Sequence, residues 1–112
     1  MLRKGDPRIS NELFGGKGEV RVWNLLADRR APPFTAVLAC ELEPGGRVGR
    51  HVQEHFPEIV VGLSGRGEAR VAGRPQPLEP GDVVHLPLGT VLEIINTSSD
   101  EALHYLIIKA RD

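Results

Sequence analysis

The sequence predicts an all-β fold, a sandwich or closed barrel of short strands built as one domain. Three observations carry this expectation. The 13 glycines and 9 prolines fall between short apolar runs and not inside long ones, the punctuation of a chain with many turns. Phe34, Ala36, Leu38, Cys40 and Leu42 alternate with other residues, which puts them on one face of an extended strand. No segment sustains a helical period.

In chain order, residues 1–18 mix charge with glycine and are expected to form a loosely packed N-terminal extension, with a single barrel domain over 19–112. Glu19 to Ala27 reads as a first strand carrying Val20, Val22 and Leu25, and Arg29 to Pro33 breaks it. Phe34 to Glu43 is the second strand, ended by the turn Pro44-Gly45-Gly46. Arg47 to Gln53 is a more polar strand. Glu54 to Pro57 has hairpin-loop length, and Glu58 to Ser64 follows. Gly65-Arg66-Gly67 turns the chain into Glu68 to Ala72; with no helix after it, this is a turn and not a phosphate loop. Pro75, Pro77 and Pro80 suit an irregular link with one brief strand around Leu78. Asp82 to Leu86, Val91 to Asn96 and Ala102 to Lys109 complete the set.

Two of these strands are apolar on both parities, at Ile59-Val60-Val61 and at Leu106-Ile107-Ile108. A strand with one wet face alternates, so both faces are expected to be covered, the outer one by a second copy of the chain in a homodimer.

The 112 residues suffice for one core but not two. With a net charge of -1 there is no basic face for nucleic acid, and with 4% aromatic residues no base-stacking platform. No apolar run approaches a membrane span. Cys40 is the single cysteine, so no intramolecular disulfide forms. The charged first ten residues lack the apolar stretch of a signal peptide, and a cytoplasmic location is the expectation.

The most informative stretch is GGRVGRHVQEHFPEIVVGLSG, from Gly45 to Gly65. His51 follows Gly45 after five residues, Glu58 comes seven after His51, and Gly65 seven after Glu58. Further on, Gly81, five residues, Pro87, one residue and Gly89 lead to Asn96. These two blocks, in this order, resemble the two motifs of the cupin superfamily. The resemblance implies a double-stranded β-helix, a jelly-roll barrel with a central pocket. It also implies a metal site of two histidines and a glutamate from the first motif and one histidine from the second. His51 and Glu58 stand at two of those positions. Gln53 replaces the second histidine and Leu92 the last.

His51, Gln53 and Glu58 thus offer imidazole, amide oxygen and carboxylate to a divalent transition metal such as Fe, Mn, Ni or Zn. The same trio can instead satisfy one another as a buried hydrogen-bond network, with no cofactor. Leu38, Cys40, Arg47, Leu92 and His104 are further candidates for the pocket wall: Cys40 as a small apolar residue, Arg47 as a partner for an anionic group at the mouth. His55 shares the parity of His51 and is a substitute ligand if the strand runs on, a loop histidine if it turns after Gln53. His85 could likewise stand in for the histidine lost at Leu92.

Two functions lead from the residues, ahead of a mainly structural dimer with a vestigial pocket. One is a metal-dependent enzyme of the dioxygenase, isomerase or cyclase type, with His51 and Glu58 as catalytic groups. The other is a non-catalytic, metal-free barrel that binds a small organic molecule. Neither involves nucleic acid or membrane.

Overall fold

The computed structural model describes residues 2–111. Among the described residues ten strands form: β1 (Arg8–Asn11), β2 (Glu19–Asn24), β3 (Phe34–Leu42), β4 (Arg47–Val52), β5 (Glu58–Ser64), β6 (Gly67–Val71), β7 (Arg74–Leu78), β8 (Val83–Leu86), β9 (Val91–Asn96) and β10 (Leu103–Ala110). All pairings are antiparallel. One sheet has the order β1-β2-β3-β10-β5-β8 and the other β4-β9-β6-β7. This is the expected jelly-roll barrel. The only helix among the described residues is a single 3-10 turn at Leu13–Gly15, so no helix there is long and apolar enough to cross a membrane.

Period-two alternation assigns the faces. Val20 and Val22 of β2, Cys40 and Leu42 of β3, Val60 of β5, Val84 and Leu86 of β8, Leu92 and Ile94 of β9, and Leu103 and Tyr105 of β10 point between the sheets and are buried. One end of the barrel is closed around Asn96. Its side-chain amide lies 3.1, 3.0 and 2.8 Å from the carbonyl oxygens of Leu42, Glu43 and Glu101, and its Oδ1 accepts from the Ser98 amide at 2.9 Å. Toward the opposite end lies a cavity lined by residues of both sheets.

Two expectations are corrected. The proline-rich link is a full strand, β7. It lies at the edge of its sheet, where a residue without an N–H is tolerated. The N-terminal extension is also not loose from Arg8 onward. β1 pairs with β2 in register from Arg8↔Val22 to Asn11↔Glu19. The turn beyond it is pinned to β4 by reciprocal backbone bonds between Lys17 and Arg47 (2.8 and 2.7 Å). Gly16 and Gly49 make that approach possible, because a Cβ on Gly16 would lie 1.9 Å from the Arg47 carbonyl oxygen.

On the outer face of the six-stranded sheet, Ile59, Val61, Leu106 and Ile108 are half-buried. Leu106 pairs with Val61 and Ile108 with Ile59 across the β5–β10 ladder, so they form one apolar strip.

Candidate functional site

A cavity of about 720 Å³ opens at the end of the barrel where β1, β3, β5 and β9 begin and β4 and β10 finish. Most of its wall is aliphatic or aromatic, with Leu13, Phe14, Leu38, Leu92, Ile94 and Ile107 among the lining residues. Its polar groups come from both sheets: His51 and Gln53 on one side, Arg8, Thr35, Glu58 and Lys109 on the other.

His51 faces inward because β4 carries a bulge. The ladder runs Arg47↔Ile95 and Val48↔Ile94, then shifts to His51↔Leu92, so one extra residue on β4 reverses its facing. His51 Nδ1 lies 3.0 Å from the Gly49 carbonyl oxygen. A carbonyl only accepts, so Nδ1 carries the proton and Nε2 keeps its lone pair. Burial holds the imidazole below its usual pKa, and this outweighs the Gly49 bond, which acts the other way. The ring is stacked against Phe14, with centroids 4.1 Å apart and planes at 15°.

Glu58 begins β5 and is buried. Burial raises its carboxyl pKa, opposed by the charge of Lys109, its cross-strand neighbour on β10. Glu58 Oε2 and Thr35 Oγ1 are the buried side-chain polar atoms that lack a hydrogen-bond partner among the described residues, and both belong to residues lining the cavity. Gln53, just beyond β4, is buried in the wall, its backbone held by Thr90 (3.0 Å) and Gly89 (2.7 Å).

Leu38, Cys40 and Leu92 line the cavity, and His55 sits exposed in the loop at its mouth. Burial pushes the Cys40 thiol pKa up to about 12, which disfavours the thiolate that a nucleophile needs.

Three candidates lie elsewhere. The bulge that turns His51 inward leaves Arg47 on the outer face, where its guanidinium donates to Glu93 at 3.2 Å. His104 alternates with the inward Leu103 and Tyr105, so it faces outward. It bridges Ser64 Oγ (3.1 Å) and Glu41 Oε1 (2.7 Å). His85 is exposed on β8 opposite Ile59, between the inward Val84 and Leu86.

The sequence reading missed Arg8, Thr35 and Lys109. Lys109 shares the parity of Tyr105 and Ile107, a usable signal obscured by an apolar run on both parities. Thr35 sits at a bulge opposite Lys109 and Ala110, and Arg8 lies in the segment expected to be loose.

The metal set that the resemblance implies does not fit these residues. Among the described residues no three of His, Cys, Asp or Glu converge to hold an ion. The position facing His51 is apolar Leu92, and Gln53 contributes a neutral amide where a tight site uses imidazole, thiolate or carboxylate.

The family described as Cupin domain matches residues 38–109. The oxalate-binding protein of Thermotoga maritima is 35% identical over 102 residues, covering 90% of this chain and 83% of that protein. Among solved structures, a predicted oxalate decarboxylase from Thermotoga maritima superposes with a TM-score of 0.88 at 28% identity over the whole of both chains. A Cupin 2 conserved barrel domain protein from Salinispora arenicola CNS-205 does so with a TM-score of 0.73 at 27% identity, over 100% of this chain and 88% of that one.

Proposed function

The chain belongs to the cupin family, and on that premise we propose that its barrel binds a small organic molecule with an apolar body and a hydrogen-bonding polar end, without needing a metal ion. The unpartnered Glu58 Oε2 carries this reading. A buried polar atom left without a partner costs about 1–3 kcal/mol, so a ligand that donates to it recovers that cost on binding. The free Nε2 of His51 is a second acceptor, and the aliphatic wall accommodates the rest of the molecule. Small phenols and aliphatic diols, screened by thermal shift in the presence of a chelator, test it. Stabilisation that survives the chelator and weakens in Glu58→Gln is expected. Stabilisation by divalent metal alone, with none by any organic probe, would sink the reading.

The oxalate-binding relative favours a second reading, in which this chain takes a small dicarboxylate. Two carboxylates beside Glu58 repel it unless a cation intervenes. Calorimetry with oxalate, with and without manganese, separates the two readings: oxalate binding tighter than the neutral probes favours the second.

The half-buried strip of Ile59, Val61, Leu106 and Ile108 supports a homodimer packed through the six-stranded sheet. A monomeric mass by light scattering at micromolar concentration would end that proposal.

A further inference from the structure

Four side chains of the six-stranded sheet line the same cavity. Arg8 opens β1, Thr35 stands near the start of β3, Lys109 is near the end of β10, and Glu58 opens β5. In the ladder register Thr35, Lys109 and Glu58 stand side by side at the mouth, while Arg8, opposite Val22 and so in line with Cys40 and Tyr105, stands further along the barrel. Neither Arg8 nor Lys109 joins an ion pair among the described residues, although Lys109 stands directly across the ladder from Glu58. Thr35, between the two cations in strand order, holds a buried hydroxyl without a partner. The set therefore offers two cationic donors, a hydroxyl and an acceptor.

We propose that Arg8, Thr35 and Lys109 bind the carboxylate of a hydroxy acid whose apolar body fills the barrel and whose hydroxyl donates to Glu58 or to His51 Nε2. This rests on the reading of the cavity as a small-molecule site and specifies the ligand class. A guanidinium and an ammonium that join no ion pair among the described residues retain their attraction for an anion at a mouth walled by apolar side chains, where it is less screened than in bulk water. A single negative charge suits the set better than a dianionic phosphate, since Glu58 and Glu54 also line the cavity. The hydroxyl places a donor where the protein has acceptors.

Isothermal titration with 3-phenyllactate, 3-phenylpropionate and 3-phenyl-1,2-propanediol tests this, on wild type and on the double variant Arg8→Gln, Lys109→Gln. Wild type is expected to bind phenyllactate roughly tenfold or more tighter than the diol, and the double variant to bind the two alike. Phenylpropionate, which lacks the hydroxyl, is expected to fall between them. Equal binding of acid and diol by wild type overturns the carboxylate site while leaving the cavity reading intact. An acid preference that persists in a folded double variant overturns the roles of Arg8 and Lys109. If neither acid nor diol binds at millimolar concentration, the cavity reading falls and this inference with it. The comparison of acid with diol on wild type stands even where the double variant does not fold.

Discussion

Leu92 is the cross-strand partner of His51 in the β4–β9 ladder. It occupies the motif position where the resemblance places a metal-binding histidine, and it is 1% exposed. The side chain nearest His51 on the neighbouring strand is therefore apolar. Of the motif positions, Glu58 offers His51 one strong potential co-ligand and Gln53 a weak one.

That relationship gives the first prediction. Combining Leu92→His with Gln53→His supplies two imidazoles next to His51 and Glu58, and the double variant is expected to bind roughly one zinc, nickel or manganese ion per chain. Wild type is expected to bind well below that. Without metal the variant loses about 2–4 kcal/mol, since a buried leucine gives way to a polar ring. Metal content after purification and thermal shift with added metal measure both. Stoichiometric metal in wild type would show that Leu92 does not break the site.

His51, Gln53, Glu58 and Leu92 were legible in the sequence because motif spacing marks all four positions regardless of local strand parity. Arg47 was misplaced because parity fails across a bulge, and an inserted residue leaves no mark in composition. His104 and His85 face outward, which parity alone could not fix without knowing each strand's register. The N-terminal segment was misread for another reason. Its order comes from contacts between Gly16 and Gly49 and between Phe14 and His51, far apart in sequence, with no local pattern announcing them.

The second prediction concerns pH. Burial raises the Glu58 pKa above its ordinary 4.5, so the folded state holds this proton more tightly than the unfolded chain. The stability Glu58 contributes is full below 4.5 and is lost as pH rises through its folded value. Glu58→Gln removes this dependence. The variant is expected to gain about 1 kcal/mol, or roughly 4–8 °C in Tm, at about pH 8, and to gain nothing at about pH 4. His51, whose pKa is lowered, acts with the opposite sign, losing stability as pH falls through its folded value, and is unchanged in the comparison. A Tm difference that does not vary with pH would contradict the assignment.

A third prediction tests the closed end. The Asn96 amide faces three carbonyl oxygens, and Asn96→Asp puts an acceptor where donors are needed. With several buried carbonyls losing their partner, a loss of about 3 kcal/mol or more is expected in urea unfolding. The cavity lies at the other end of the barrel, so probe affinity in the folded fraction is expected to stay within twofold of wild type, an effect of at most roughly 0.4 kcal/mol. A large change in affinity would mean that the two ends are coupled.

The fourth prediction isolates the N-terminal turn. Glu12 and Phe14 both have positive φ, at 53° and 54°, a conformation that costs non-glycine residues about 1–3 kcal/mol each. The docking that offsets this strain consists of the Lys17–Arg47 backbone bonds, the close Gly16–Gly49 approach and the Phe14–His51 stack. Gly16→Ala drives a Cβ into the Arg47 carbonyl, so the turn must lift. Released, Glu12 and Phe14 relax, Phe14 leaves the imidazole, and the mouth of the cavity widens. Faster hydrogen exchange at the Lys17 amide is expected, together with a His51 pKa nearer its usual value by NMR titration as the ring becomes wetter. Probe dissociation should also quicken, because one wall of the mouth is gone. Phe14→Ala, which removes the ring but leaves both glycines, is expected to shift the His51 titration without exposing the Lys17 amide. If it exposes that amide equally, the stack and not the glycine contact holds the turn down.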